Sequence, residues 1–366
     1  MRVREYLQED SIDIGCSGTK VYDLEYIDPI SQLDLFFKAT NGASSNIGSP
    51  FERCISKIEL VDGGEVLWDL PGEVAMALFA HDAGALPYSE LEEVANASVR
   101  QQIPIRFGRW LYDPEYAFDP RRHTHPQLRF TFDEAAVNTA GATGYVSDSW
   151  EFTLGVKLME GALTPKGFLS ARTVESFTSV AGGARRVELP TDRVIRLLMC
   201  RAYESAVPMY TNITNHQLTA DGGKWVGFNL PARDFLNLMC ENFGPISRTV
   251  SACITDSTAW ETFMGINNFG LVSGWGPGNI AGAEWYIYSQ IMPYYTTHAG
   301  VALTRYKMFI KANGWALHNT LIYPFGDRMK PEDWLDPVSF GKLDYVVTDG
   351  DAGADCDIAV QQVYRY

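Results

Sequence analysis

His123-Thr124-His125 is the pair of side chains in this chain best spaced to hold a metal ion. A working site of that kind needs a glutamate shortly after the histidines, and the positions where it would fall are Arg129 and Phe130. The ligand set is incomplete, so no metal is expected there. His81, His216, His298 and His318 stand alone in sequence, and packing or surface roles are expected for them. Asp349-Gly350-Asp351-Ala352-Gly353-Ala354-Asp355-Cys356-Asp357 spaces carboxylates somewhat as a calcium loop does. It lacks the sixth-position glycine and the distal glutamate of that loop, so a solvated acidic turn is the expectation and a structural cation the alternative. Gly274-Trp275-Gly276-Pro277-Gly278-Asn279 has the glycines of a phosphate loop without its lysine, and no G-x-S-x-G nucleophile elbow occurs. The cysteines Cys16, Cys54, Cys200, Cys240, Cys253 and Cys356 are scattered without a C-x-x-C pair, which reads as small buried hydrophobes. With 45 acidic residues some carboxylate pair always lies at a glycosidase-like separation, so such pairs carry no signal by themselves. The expectation is a protein with no catalytic residues, no cofactor and no metal: not an enzyme.

The elements that would position these residues are organised by an internal duplication. Leu60-Val61-Asp62-Gly63-Gly64-Glu65-Val66-Leu67-Trp68-Asp69-Leu70-Pro71 is matched by Leu218-Thr219-Ala220-Asp221-Gly222-Gly223-Lys224-Trp225-Val226-Gly227-Phe228-Asn229-Leu230-Pro231. A glycine follows each proline by 13 residues, Gly84 in one copy and Gly244 in the other. Asp-Gly supplies the positive φ of a tight hairpin. Ile58 and Leu60 before the turn, and Val66 and Trp68 after it, keep the two-residue period of a half-buried strand. Asp69 and Asn229 are placed to cap a helix whose first turn holds the proline. Val74, Ala75, Leu78 and Phe79 form its apolar stripe in one copy; Phe235, Leu238 and Met239 form it in the other. Each copy predicts strand, turn, strand, short helix.

Around these units the pattern is that of short strands joined by decorated loops. Leu33–Lys38, Ile103–Phe107, Leu128–Phe132 and Trp150–Leu158 read as strands, and Val194–Arg201 stands to the second unit as Leu33–Lys38 does to the first. Val301, Leu303, Tyr306, Met308–Ile310, Leu343–Val347 and Ile358–Tyr364 supply further strands. Ser89-x-x-Glu92 has the form of a capping box and predicts a second short helix through Leu91–Val99. Residues 1–10 read either as an amphipathic turn or two or as a loosely ordered arm. Met159–Gly167 is the junction, giving domains 1–165 and 166–366. The fold class predicted is all-β: two tandem eight-stranded antiparallel jelly rolls with short helices in the connections.

Composition narrows the role. Hydrophobic residues at 46% and charged ones at 20% describe a globular protein, and 366 residues allow two domain cores. No apolar run approaches the length of a spanning helix, and Met1–Asp10 has no signal-peptide core, so synthesis in a cytoplasm is expected. The sequons at Asn96 and Asn212 are accordingly read as chance. A net charge of −15 with no basic tail argues against direct nucleic-acid binding. The aromatics Trp110, Trp275, Trp285, Tyr294 and Tyr295 lie in or near loops. They suit burial against a neighbouring subunit better than stacking on sugar rings.

Ile103-Pro104-Ile105-Arg106-Phe107-Gly108-Arg109-Trp110, then Asp113 and Pro120, then Leu128-Arg129-Phe130-Thr131-Phe132, resemble the first jelly roll of a known family. Leu33–Asn41 and Asp62–Pro71 look similar too. The family is the double jelly-roll major capsid proteins of tailless, membrane-containing icosahedral viruses, the tectivirus and corticovirus lineage. The resemblance implies a homotrimer with a pseudo-hexagonal outline that tiles a shell beside neighbouring trimers. It also implies contacts with penton or minor capsid proteins and an internal membrane, and a virion location. No second copy of Ile103–Trp110 is evident in the C-terminal half. The competing readings are a carbohydrate-active enzyme or lectin on two jelly rolls, or a trimeric phage receptor-binding protein.

Overall fold

The computed structural model describes residues 2–42, 50–90, 92–93, 96–137, 144–161, 163–204, 207–254, 265–275, 284–287, 296–299 and 306–366. At 92–93, 137, 250–254, 267–275, 284–287, 296–299 and 306–311 that description is of the backbone alone.

In chain order the first half runs β1 (Arg2–Asp13), β2 (Ser17–Asp23), β3 (Ile30–Thr40), the single turn α1 (Phe51–Cys54), β4 (Ile55–Asp62) and β5 (Glu65–Leu70). It continues with α2 (Gly72–Ala83), the two-residue β6 (Glu92–Glu93), β7 (Ser98–Arg106), β8 (Pro126–Asp133) and β9 (Glu151–Glu160). The second half runs β10 (Gly167–Thr178), β11 (Ala184–Leu189), β12 (Ile195–Tyr203), α3 (Met209–Asn212), β13 (Ile213–Ala220), β14 (Trp225–Pro231) and α4 (Ala232–Asn242). After it come β15 (Ile246–Ile254), β16 (Asn267–Trp275), β17 (Glu284–Ile287), β18 (Thr296–Ala299) and β19 (Tyr306–Trp315). The chain closes with β20 (Thr320–Pro324), β21 (Leu343–Asp349) and β22 (Asp355–Arg365).

Strand order makes each half a jelly roll. Sheet β1-β9-β3-β7 packs on β2-β8-β4-β5, and β10-β22-β12-β20 packs on β11-β21-β13-β14 in the same order. The alternating residues anticipated in the sequence fill the space between sheets. Phe130 of β8 meets Phe37 of β3 and Phe152 of β9 at ring separations of 5.2 and 4.7 Å. In the second roll Phe228 of β14 meets Tyr323 of β20 at 4.7 Å. A bridge between Asp69 of β5 and Arg172 of β10 joins a sheet of one roll to a sheet of the other, giving one eight-stranded sheet across the molecule.

The duplication extends well beyond the hairpin unit. A helical turn introduced by proline, Pro50 before α1 and Pro208 before α3, precedes each copy. Ile30 and Phe118 exchange backbone hydrogen bonds, as do Ile195 and Leu335. Phe107 N–H donates to the Ser31 carbonyl, and Phe325 N–H to the Arg196 carbonyl. Asp119-Pro120 and Asp336-Pro337 each open a 3₁₀ turn in which the aspartate accepts from the N–H two residues on. Asp62 then accepts from the N–H groups of Thr124 and His125 at 3.0 and 2.7 Å, and Asp221 from those of Gly341 and Lys342 at 2.9 and 3.0 Å. Both aspartates thus fix the entry to the strand beside them, β8 or β21. Two charge-assisted bonds are lost in Asp62→Ala or Asp221→Ala, and each change is expected to cost about 1–3 kcal/mol. Urea midpoints measure it, and Asp221→Asn, which keeps an acceptor, is expected to recover part of the loss.

The missing second copy of Ile103–Trp110 is Leu321-Ile322-Tyr323-Pro324-Phe325-Gly326. Regular spacing does not reveal it, because residues 243–319, with β15–β19, stand where the first roll has only residues 84–97. Gly108 and Gly326 occupy equivalent positions after their strands. A Cβ on either would strike a carbonyl, of Tyr116 or of Asp333, and Gly326 also has a positive φ of 69°.

Three local expectations are corrected. Asp69 and Asn229 lie in strands, and the helix N-caps are Pro71 and Pro231 themselves, with no side-chain cap. The proline geometry, φ −62° and −54°, already sets the extended entry that a cap provides. No capping-box helix follows Ser89 among the described residues: Glu90 N–H donates to Arg100 and Gln102 N–H to Tyr88, so sheet pairing takes that backbone. Residues 2–13 form neither a helical turn nor a loose arm but the edge strand β1, paired to β9.

Candidate functional site

The seam between the rolls is built on β12 and α2. All nine residues of β12 are buried, including two arginines, Arg196 and Arg201. Helix α2 of the first roll brings one carboxylate near each end to meet them, Glu73 and Asp82. Arg196 donates to Asp82 through both terminal nitrogens at 3.1 and 2.7 Å, to Gln361 Oε1 at 2.6 Å and through Nε to the Arg328 carbonyl at 3.0 Å. Arg201 pairs with Glu73 and, at 3.2 Å, with Asp357 of β22. Burial works against the Arg201 charge, but Glu73 and Asp357 outweigh it and hold its pKa above the ordinary value.

A second cluster joins this one. Glu52 of α1 lies 2.7 Å from His318 Nε2 and 3.5 Å from Arg248, and His318 Nδ1 lies 3.6 Å from Glu73. Burial pushes the Glu52 carboxyl up, yet His318 and Arg248 prevail and hold it down at about 2. His81, also on α2, accepts from the Leu317 N–H at 3.2 Å through Nε2, so its ring is neutral there. A carboxylate–histidine–carboxylate row has the makings of acid–base chemistry, but Glu52, His318 and Glu73 are all buried. The row links Glu52 of α1 and Glu73 of α2, in the first roll, to Arg248 and His318 of the second half.

The sequence-level candidates distribute themselves around this seam. Trp110 is 43% exposed, with the Arg109 guanidinium 4.4 Å above its ring. Arg109 is gripped by Asp113 at 2.7 and 3.1 Å and by Glu115 at 2.7 Å, and it donates to the Met329 carbonyl of the second roll at 3.1 Å. Arg109, beside Trp110, thus ties the segment after Phe107-Gly108 to the segment after Phe325-Gly326. Trp275 and Trp285 are described in backbone only, within β16 and β17, and Tyr294 and Tyr295 lie outside the described residues.

The remaining candidates are placed separately. The rings of His123 and His125 part company. His123 is stacked on Phe118 at 4.8 Å, and burial lowers its pKa, while His125 lies on the surface against Gln127. In the acidic stretch, Asp349 accepts from the Val180 N–H and Asp357 pairs with Arg201, so its carboxylates serve different neighbours. Cys54, Cys200 and Cys356 are buried as expected, but Cys16 is exposed. Sequence reasoning missed Arg196, Arg201, Glu73 and Asp82. The available signal was charge inside apolar runs, as in Ile195-Arg196-Leu197-Leu198-Met199-Cys200-Arg201.

No family model and no curated protein matches the sequence. The fold does have counterparts. The major capsid protein of Sulfolobus Turreted Icosahedral Virus superposes with a TM-score of 0.60 at 9% identity, over 99% of this chain and 97% of that one. The PBCV-1 virus capsid protein gives 0.58 at 11% identity, over 99% and 93%. The major capsid protein P2 from Bacteriophage PM2 gives 0.54 at 11% identity, over 99% and 98%. These are double jelly-roll proteins, and the likeness spans both rolls and the seam between them.

Proposed function

We propose that this chain is a major capsid protein, a structural tile and not a catalyst, acting as a homotrimer in the shell of an icosahedral virus. The observation that carries the reading is the architecture: two complete rolls of the same strand order, locked side by side by buried ion pairs along one continuous sheet. Three such chains round an axis present six similar lobes, which suits sixfold positions in a shell. The whole-chain likeness to capsid proteins supports it. The proposed division is 1–165 and 166–366, a reading supported by the gap between the end of β9 at Glu160 and the start of β10 at Gly167. Trp110, Trp275, Trp285, Tyr294 and Tyr295 are the proposed aromatic anchors of subunit contacts. Neighbouring trimers, penton or minor capsid proteins and an internal membrane are the proposed partners, with synthesis in a host cytoplasm and residence in the virion. The net charge of −15 fits a shell that does not grip nucleic acid directly.

Analytical ultracentrifugation with negative-stain microscopy tests this. The expected result is three copies of the 40.8 kDa chain, persisting on dilution and pseudo-hexagonal in outline. A monomer at micromolar concentrations would remove the reading.

A further inference from the structure

Strands β15 and β19 belong to the second half, yet their root, residues 243–249 and 312–319, is held by the first roll. The two stems of the root meet where Ile246 pairs with Gly314 and where Trp315 Nε1 donates to the Phe243 carbonyl at 2.7 Å. Glu52 of α1 faces His318 on one stem and Arg248 on the other. His81 of α2 accepts from the Leu317 N–H and stands edge-on to Phe243 at 5.9 Å. Both stems thus end on two side chains of the first roll that can bind a proton. The second roll offers no such pair. Tyr210 and Glu241 hold the equivalent positions after Pro208 and Pro231, and the Arg233 guanidinium lies 4.4 Å over the Tyr210 ring.

The returning stem is held under strain. Ala316, His318 and Asn319 have φ of 50°, 52° and 58°, in the left-handed region where a Cβ crowds the following carbonyl. Residues so placed persist where their surroundings fix them. Here the fixing groups are themselves buried: Glu52, His81, Arg248 and His318. Glu73 faces His318 Nδ1 from α2 and is met in turn by Arg53 and by Arg201, which also meets Asp357. Arg328, paired with Asp82, adds its charge near His81. Proton uptake and attachment exclude each other at both latch residues. His81 Nε2 accepts from Leu317, so its ring proton is on Nδ1, and a second proton must go to Nε2 and displace the Leu317 N–H. A proton on Glu52 removes the charge that faces His318 and Arg248.

We infer that the root of β15 and β19 is an acid-released latch, closed on the first roll through His81 and Glu52 and opening as those two side chains take up protons, with both sandwiches still folded. In the closed form burial and the Arg328 charge hold His81 down at about 3, and His318 and Arg248 hold Glu52 down at about 2. Once the root lifts, the two groups titrate near their ordinary values of about 6.5 and 4.5. The open form therefore binds more protons, and a falling pH favours it. Its population relative to the closed form rises about a hundredfold between pH 6.5 and 4.5, about fiftyfold of it from His81. The latch lies within one chain and does not depend on the tile reading.

Hydrogen exchange of the full chain, read by mass spectrometry and corrected for the intrinsic pH dependence of amide exchange, tests it. Between pH 6.5 and 4.5 the protection of amides in 246–249 and 312–319 is expected to fall about a hundredfold. At pH 4.5 it is expected to lie about a hundredfold or more below that of β3 and β22, which open only with the sandwiches. Root amides that exchange in step with those strands would mean that the root opens only when the chain unfolds. Protection that does not change with pH would mean that opening takes up no proton. Either result overturns the inference, and neither needs a variant. His81→Gln keeps an acceptor for Leu317 but takes up no proton, and it is expected to shrink the fall to about twofold, the share left to Glu52. A full hundredfold fall in that variant would overturn the latch as well.

Discussion

Lowering the pH from 6.5 to 5 is expected to reduce the unfolding free energy by about 3 kcal/mol, half from each of two buried histidines. Burial holds both His81 and His216 down at about 3, with the Arg328 charge adding to the effect at His81. His216 is sandwiched on Phe235 at 4.6 Å, with Nδ1 2.6 Å from the Tyr345 hydroxyl. Both rings stay neutral in the folded chain down to about pH 3 and take up a proton near pH 6.5 once unfolded. The unfolded state therefore binds more protons throughout that window, and stability falls as the pH falls. Glu52 acts in the same direction but lower, since its folded pKa of about 2 lies below the unfolded value; its contribution is intact above about pH 4.5 and is lost on the way to pH 2. Urea midpoints across pH 7 to 5 read the histidine slope, which for the pair steepens to about 2.7 kcal/mol per pH unit below about pH 5.5, where both unfolded rings are protonated. His216→Asn, which keeps a polar atom near Tyr345, is expected to halve it. A midpoint that does not move between pH 7 and 5 would mean that the two rings are not held neutral.

What the chain discloses before folding follows from how local each signal is. Asp-Gly turns, two-residue alternation and Pro-to-Gly helix spans are set by neighbours in sequence, so β4–β5–α2 and β13–β14–α4 are legible in Ile58–Gly84 and Leu218–Gly244. The equivalence of Phe107-Gly108 and Phe325-Gly326 was hidden by the long connection through residues 243–319, which removes regular spacing. The edge strand β1 was illegible for another reason. Arg2–Asp13 is mostly exposed on both faces, so it carries no alternation, and its pairing with β9 is paid for by backbone hydrogen bonds across some 150 residues of chain. The capping box at Ser89 shows the converse: a valid local signal overridden by tertiary pairing. The seam was the least legible part. Arg196 and Arg201 sit in a strand that otherwise reads as core, and nothing nearby in sequence identifies Asp82 and Glu73 as their partners.

Arg196→Met is expected to cost about 3–5 kcal/mol, because it strands a carboxylate in the seam. The Arg196 side chain is fully buried and Asp82 nearly so, and without the guanidinium Asp82 keeps the Arg328 pair, at 3.2 Å, and the more distant Arg106 charge, while Gln361 loses its donor. Arg328 is partly solvated and offers one contact where Arg196 offers two. The buried pair need not be worth much against an apolar replacement, since desolvating two charges costs about what their attraction returns. Asp82→Leu combined with Arg196→Met is therefore expected to recover most of the loss, with a coupling energy of several kcal/mol between the two sites. The shape of the transition is as informative as its midpoint. Asp82 belongs to α2 of the first roll and Arg196 to β12 of the second, so the single variant weakens the seam without touching either sandwich core. If the rolls unfold together because the seam couples them, wild type melts in one step and Arg196→Met in two, with tryptophan fluorescence and far-ultraviolet dichroism no longer coincident. A single shared transition in the variant, shifted by less than about 1 kcal/mol, would mean that the continuous sheet and the packing of Phe168 on Phe107 and Phe118 hold the rolls together without it.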